Sequence, residues 1–490
     1  MKKRILLVEP AYKTRYPPLG LMKIATYHTH IKQDEVVFVK GCVSKVKYEY
    51  WDRVYISTLF TWTWDETVKT IKYYHDMLFK FTGRCYIGGI LASLMPDELF
   101  NATGIQPIEG LLDSPHKIDQ DDDVIIDLLP PDYEILKQVE NDKFKYSLSD
   151  AYLGYTTRGC VWKCEFCAVK TFEPRYIPYI DMKDTVLGIT AASGEKQNMV
   201  LMDNNVLASK KFNQIIDDIK SLGFVKGARF GITKRKRTVD FNQGLDARFL
   251  TEEKMQRLAE IPLEPMRIAF DSIAYKDTYI NAVRLAHQYG QEEMSNYILY
   301  NFEDTPEDFY DRLRINIDLN SEFKHDGGAK TTVYSFPMRY IPLDAKKRDV
   351  DTGNQYWNPR YLRSIQLILN VMRGPVMPGR EFFLQAFGRD VNEFKAILLM
   401  PELFIRNRVL PDWRNQPDYD KRLMPYVKEW MDTYNQLNTI DRAHLIQLLG
   451  ENSKKLIRRE FNGVSNIKVR KLLTFHLEEN EIVSQYKNLS

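Results

Sequence analysis

Thr157-Arg158-Gly159-Cys160-Val161-Trp162-Lys163-Cys164-Glu165-Phe166-Cys167 is the stretch on which the reading of this chain turns. It places three cysteines on one short loop in a Cys-x3-Cys-x2-Cys arrangement, directly after the apolar run Tyr152 to Thr156. Soft thiolates select iron–sulfur clusters, zinc or Cu(I) over hard cations. A four-iron cluster has four irons to ligate, so three thiolates leave one iron open to a substrate or cosubstrate. Structural zinc wants a closed set of four ligands, commonly from paired Cys-x2-Cys units, and the two remaining cysteines, Cys42 and Cys85, are distant and isolated. Five cysteines in 490 residues are too few and too scattered for a disulfide framework. Zinc and structural thiols therefore stand as the competing readings of the loop, and Cys42 and Cys85 read as small buried hydrophobes.

Outward from the loop, the alternation of short apolar runs and helical spacings restarts at Tyr152 and continues to Leu343. Strands are expected at Tyr152 to Thr156, Met199 to Met202, Val239 to Asn242, Arg267 to Phe270, Tyr297 to Tyr300 and Thr331 to Phe336. Helices are expected at Ala208 to Leu222, Thr251 to Ile261, Thr278 to Tyr289 and Pro306 to Leu319. Such alternation predicts parallel strands with ligands bound at their carboxyl ends, and the cysteine loop follows the first strand as that rule requires.

The cysteine spacing, with aromatic Phe166 before the third cysteine, resembles the signature of radical S-adenosylmethionine (SAM) enzymes. The resemblance implies a partial (βα)6 TIM-like barrel, with Cys160, Cys164 and Cys167 on a [4Fe–4S] cluster whose fourth iron chelates SAM. It further implies reductive cleavage of SAM to a 5′-deoxyadenosyl radical that abstracts hydrogen from an unactivated carbon. Other strand ends carry matching residues. Asp203-Asn204-Asn205 follows the second strand, Asn242-Gln243-Gly244-Leu245-Asp246-Ala247-Arg248 the third and Phe270-Asp271-Ser272 the fourth. By that resemblance Phe166, Asp203, Asn205, Gln243, Arg248 and Asp271 are expected at the cofactor, with Arg248 suited to a carboxylate because its guanidinium is a planar fork of donors. The fifth strand end, Asn301-Phe302-Glu303-Asp304-Thr305-Pro306, departs from the family's Gly-x-Pro-Gly-Glu-Thr segment. Taken alone, each polar cluster is equally a helix cap.

The first 112 residues also alternate. Strands are expected at Arg4 to Val8, Glu35 to Val39, Asp52 to Leu59 and Cys85 to Gly89, with helices at Leu19 to His28, Thr63 to Phe79 and from Pro96. Pro17-Pro18-Leu19-Gly20-Leu21, Ser57-Thr58-Leu59 and Gly88-Gly89 with Ala92-Ser93 and Pro96-Asp97-Glu98 make this region similar to the Rossmann-like cobalamin-binding-type domain of one radical SAM class. The resemblance implies cobalamin lined by Ser57, Leu59, Gly88 and Gly89, and with cobalamin a methyl transfer; a vestigial domain that shapes the substrate site is the alternative. An Asp-x-His-x-x-Gly motif is missing, and Phe60, Trp62 and Trp64 crowd the same loop.

The organisation expected is thus 1–112 cobalamin-binding-type, 113–148 linker, 149–343 barrel and 344–490 mostly helical. The linker carries Asp121-Asp122-Asp123, read as a solvated face, and Pro130-Pro131. Helices are expected in the last segment at Tyr361 to Met372, Arg380 to Phe387, Val391 to Leu399, Tyr426 to Leu437 and Ala443 to Leu449, broken by the turn Gly374 to Gly379. Lys226 to Arg237 is the densest basic run. It suits nucleic acid or a phosphate-bearing substrate, and equally a plain solvated loop. A formal charge of +3 and 44% hydrophobic residues fit an ordinary globular chain. No apolar run approaches the roughly 20 residues needed to span a bilayer, so a soluble, cytoplasmic protein is expected. An electron donor such as flavodoxin or ferredoxin is the implied partner. Besides the enzyme, two readings stay open: a non-catalytic iron–sulfur or SAM-binding scaffold, and a nucleic-acid modifier without cobalamin.

Overall fold

The computed structural model describes residues 2–78, 84–326, 330–408 and 417–478. Phe79, the expected end of a helix, and residues 479–490 of the C-terminal segment lie outside the described residues. The chain divides into two compact units. One is Met1–Arg267 with Ile341–Val350, the other Ile268–Tyr340 with Asp351–Ser490.

In the first unit, strands β1 (Arg4–Glu9), β2 (Glu35–Lys40), β3 (Arg53–Thr58) and β4 (Arg84–Gly89) form a parallel sheet in the order β2-β1-β3-β4. Ile5, Leu6, Leu7 and Val8 are all fully buried, so both faces of β1 are covered, and this is why the strand reads as a continuous apolar run. Helix α1 (Leu19–Thr26) follows β1 and α2 (Trp64–Leu78) follows β3. Leu6, Val8, Ile56, Ile71, Tyr74, Ile87, Leu91 and Leu99 share one core. Because the order runs outward in both directions from β1 and β3, their carboxyl ends form the switch point where such sheets bind ligands.

The expected linker is instead folded structure of the same unit. Its Tyr133 is buried, donates to the carbonyl of Ala151 (2.6 Å) and accepts from the amide of Leu153 (3.0 Å). The acidic run is not simply solvated: Asp122 pairs with Lys32 at 2.5 Å and accepts from the Tyr27 hydroxyl at 2.9 Å, while Asp123 stays on the surface.

Strands β5 (Ala151–Gly154) and β6 (Asn198–Leu201) are joined through helix α3 (Lys183–Ser193), which the sequence reading passed over because its apolar face is short, with only Val186 and Ile189 buried. Helix α4 (Phe212–Ser221) follows β6, and the basic run then forms an antiparallel hairpin, β7 (Arg229–Phe230) and β8 (Arg235–Lys236). Strand β9 (Val239–Phe241) completes a second parallel sheet, β5-β6-β9.

The division between units falls inside β10 (Met266–Ala269). In the second unit β10 continues into a sheet with β11 (Glu293–Tyr300) and β12 (Thr332–Arg339). Helix α5 (Pro306–His325) between them starts with Pro306 in its first turn and a capping box of Thr305 and Asp308. The six strands expected of the barrel are all present, with their helices in order, as two three-stranded sheets. From Pro359 onward this unit is helical around one apolar core that includes Ile365, Phe387, Phe394, Leu398, Trp430 and Leu472. No described helix is long and apolar enough to cross a membrane.

Candidate functional site

The cysteine loop begins where β5 ends, and its base is fixed by buried polar groups. Asp203, at the carboxyl end of β6, accepts from the Thr156 amide (3.1 Å), the Thr156 hydroxyl (2.6 Å) and the Thr157 hydroxyl (2.7 Å). Only 1% of Asp203 is exposed, and burial raises its carboxyl above the ordinary range. Expected at the cofactor, Asp203 staples the loop entrance to β6. Arg158 and Ile177 then exchange both backbone hydrogen bonds, at 3.0 and 2.9 Å, so residues 159–176 form an excursion closed at its neck.

A chain of buried charges holds that neck. Lys23 of α1 donates to Asp127 at 2.9 Å, and Asp127 takes the Arg158 guanidinium at 2.7 and 2.8 Å. Arg158 reaches Glu173 at 2.5 Å and lies 3.5 Å from the Tyr155 ring centroid. The second oxygen of Glu173 accepts from the Gly159 amide (2.6 Å) and from Asn204 Nδ2 (2.8 Å). Two cations and two anions cancel, which is the condition under which ions persist away from water. Burial works to raise the Asp127 carboxyl, but Lys23 and Arg158 outweigh it and hold it low. Gly159 sits at φ +67°, and an added Cβ would lie 2.2 Å from the Arg175 carbonyl, so only glycine fits before the first cysteine.

Above the neck, side chains from three segments meet at Cys160. Its sulfur accepts from the Trp162 amide (3.4 Å) and from Asn205 Nδ2 (3.7 Å). Asn205 Nδ2 also donates to Asp246 Oδ2 at 3.1 Å, and the Trp162 indole donates to the same oxygen at 2.8 Å. Arg248 grips Asp246 through Nε (2.7 Å) and a terminal nitrogen (2.9 Å) and lies 4.3 Å from the Trp162 ring centroid. Burial pushes the Asp246 carboxyl up, yet Arg248 and Trp162 together keep it below its ordinary value. Tyr176, which donates to the Asn205 carbonyl at 3.1 Å, is raised to about 12 by burial and by the nearby Asp203 and Cys160. Asn205 is 2% exposed and its Oδ1 has no partner.

The structure thus brings Cys160, Asn205 and Arg248 together and adds Asp246 and Trp162 from the quoted runs. Cys164, Cys167 and Phe166 share the loop and are half-buried. Gln243 is exposed, its Nε2 3.5 Å from Asn242 Oδ1. Asp271 belongs to the second unit, where its backbone carbonyl accepts from the fully buried Arg312 at 2.9 Å. Glu173 and Asp127 escaped the sequence reading, since neither stands in a motif and each meets its partners only in the folded chain.

At the carboxyl end of β3, Ser57 and Leu59 are half-buried. Gly89 has φ +117°, and an added Cβ would strike the Thr58 carbonyl at 2.2 Å. Its bareness serves the sheet's own packing. Gly88 pairs through its backbone with Ile108, where an added Cβ would meet the Ile108 carbonyl only at an ordinary 3.6 Å. Phe60 and Trp62 stack with centroids 4.4 Å apart, Arg348 lies 5.5 Å from the Trp62 ring and Lys346 4.1 Å from the buried Trp64. Of the other two cysteines, Cys42 is exposed rather than buried, and Cys85 is half-buried with its thiol raised to about 12 by burial. The basic run is partly structural: Arg237 is buried, pairs with Glu195 and stacks on Phe224, and Lys236 pairs with Glu264.

Among the described residues no three His, Cys, Asp or Glu side chains converge as ligands of one metal ion. The three thiols are spaced along one loop instead. Soft donors so arranged fit a cluster that bonds each thiolate through a different iron, and N–H donors on the Cys160 sulfur suit an anionic ligand.

No family model and no curated protein matches the chain. Solved structures of radical SAM enzymes are among those it is similar to. The methyltransferase TsrM from Kitasatospora setae with cobalamin and a [4Fe–4S] cluster bound shares 15% identity over 70% of this chain and 77% of that one, with a TM-score of 0.47. The same enzyme with tryptophan and a SAM analogue bound gives 14% identity, 70% and 75% coverage and a TM-score of 0.47. Apo, selenomethionine-labelled OxsB, a cobalamin-dependent SAM radical enzyme, shares 11% identity over 99% of this chain and 80% of that one, with a TM-score of 0.49.

Proposed function

We propose that this chain is a radical SAM enzyme in which Cys160, Cys164 and Cys167 hold a [4Fe–4S] cluster. The observation that carries the reading is the three-thiol loop at a strand's carboxyl end, with a rigid buried base and a rim of Asn205, Asp246, Arg248 and Trp162 beside the first cysteine. When bound, the cluster supplies the electron that cleaves SAM to methionine and a radical able to take hydrogen from an unactivated carbon. The chain's own residues set the geometry of that event. Glu173 and Gly159 fix where Cys160 leaves the backbone, Arg248 offers a guanidinium on the rim, and the half-buried loop limits water around the thiolates. The electron comes from a donor of the flavodoxin or ferredoxin type, and the substrate is a molecule with an unreactive carbon–hydrogen bond.

Cobalamin enters the proposal through the parallel sheet β2-β1-β3-β4 and its switch point, with Ser57, Leu59, Gly88 and Gly89 nearest the crevice. Phe60 and Trp62 stand where the crevice opens, so no step is assigned to a corrinoid. A phosphate-bearing substrate has its own supporting observation: Lys226, Arg229, Lys234 and Arg235 of the hairpin region are exposed.

The test is anaerobic reconstitution with iron and sulfide, reduction, and addition of SAM with and without hydroxocobalamin. Formation of 5′-deoxyadenosine that disappears in Cys164→Ala is expected. A fully loaded cluster on which SAM does not bind at all sinks the enzyme reading in favour of the scaffold.

A further inference from the structure

The amide of Asn205 is wedged between two acceptors, the sulfur of Cys160 at 3.7 Å and Asp246 Oδ2 at 3.1 Å. A carboxamide has one donating and one accepting end, and turning it over would set its oxygen against both a carboxylate and a sulfur. Asp246 cannot offer a donor in return, because an ionised carboxylate only accepts. It is itself immobilised by the Trp162 indole and by two nitrogens of Arg248. The orientation of Asn205 is therefore decided from behind, by a residue that does not touch the sulfur. Burial of Asn205 to 2% exposure keeps water from substituting for either contact.

We infer that Asp246 is a positioning residue that locks the Asn205 amide with an N–H directed at Cys160, and so sets the reduction potential of the cluster that Cys160 ligates. The inference rests on the cluster reading above. Hydrogen bonds to cysteine sulfur draw electron density from the ligand and raise a cluster's potential. Loss of the Asn205 donor, or freedom for its amide to turn over, lowers it.

The measurement is an EPR-monitored redox titration of the anaerobically reconstituted full-length protein, with iron and sulfide content and thermal unfolding recorded in parallel. Asn205→Ala removes the donor. Asp246→Asn keeps the shape but supplies an N–H that lets Asn205 reverse. Both are expected to move the midpoint to more negative potential at unchanged iron content, and Trp162→Phe, which loosens only one tie on Asp246, to move it less. If iron is not retained in either or both variants, the comparison is read from loading: joint loss in N205A and D246N at unchanged melting temperature supports the inference, and loss in only one of them overturns it. Unchanged midpoints in both variants overturn it too, as does a shift in N205A with none in D246N. A wild-type protein that takes up no cluster overturns the cluster reading first and this inference with it.

Discussion

The first unit contains two parallel sheets whose carboxyl ends are finished in opposite ways. At the end of β1 and β3 side chains of the chain pack on one another: Phe60 stacks on Trp62, Lys346 and Arg348 lie over Trp64 and Trp62, and Gly89 gives up its side-chain space to the Thr58 carbonyl. At the end of β5 and β6 the thiols are half exposed, and Asn205 keeps a buried oxygen with no partner. The same topological rule marks both places as ligand sites. Which of them is poised for a ligand is decided by side chains the rule does not mention. The contrast also shows one residue type in two roles, since Gly89 relieves packing within a sheet while Gly159 lets a loop turn into its first cysteine.

The sharpest way to break this comparison is to give both glycines a methyl group. Each added Cβ meets a carbonyl at 2.2 Å in a left-handed backbone, so Gly159→Ala and Gly89→Ala are each expected to cost about 3 kcal/mol. Their consequences part at the metal: iron retained per folded molecule falls sharply in G159A and holds in G89A. Equal retention would show that the neck of the loop does not govern cluster binding.

Next in size is Glu173→Gln, which keeps the shape but presents an N–H to one of the groups that now donate to Glu173. Unpairing part of a buried charge chain is expected to cost about 3 kcal/mol in chemical denaturation. A loss under about 0.5 kcal/mol would mean that the neck is held by the backbone bonds of Arg158 and Ile177 alone.

Past the carboxyl end of β3, Phe60→Ala with Trp62→Ala removes a stacked pair and is expected to cost about 1 kcal/mol. Hydroxocobalamin retained after desalting should rise in the double variant, read by absorbance. Retention equal to wild type would show that the stack does not occupy the corrinoid position.

The remaining effect is a pH dependence beside the N-terminal sheet. Burial drives His28 down to about 4 despite its 2.8 Å contact with Asp34. The folded chain therefore keeps this imidazole neutral where the unfolded chain protonates it. Its contribution is complete above the unfolded value of about 6.5 and is lost as pH falls from there to about 4, by about 3 kcal/mol. His28→Asn should flatten the slope of unfolding free energy over that window. An unchanged slope would assign acid sensitivity to other groups.

What was legible in the sequence follows from range. The three cysteines, the glycine before them and the alternation of strand and helix are local patterns, and ligand chemistry or backbone periodicity reads them directly. Asn205 and Arg248 were reachable by one further rule, that residues just past parallel strands line the site. Asp203 obeyed the rule of position but not of role, because its carboxylate was claimed by Thr156 and Thr157. Gly89 was read as room for a ligand, and its missing side chain also makes room for the Thr58 carbonyl. Two residues of the basic run are likewise taken up by the fold, since Lys236 pairs with Glu264 and Arg237 with Glu195.

The sequence by itself therefore determined the three-cysteine loop and the order of elements, since both are written within a few residues of one another. Only the tertiary structure decided that Asp127, Glu173 and Asp246 serve the cysteine loop. Each meets partners between 14 and 104 positions away, setting aside Arg248 beside Asp246. Electrostatic and hydrogen-bond pairing acts through space, and no period or motif along the chain records which distant groups will meet.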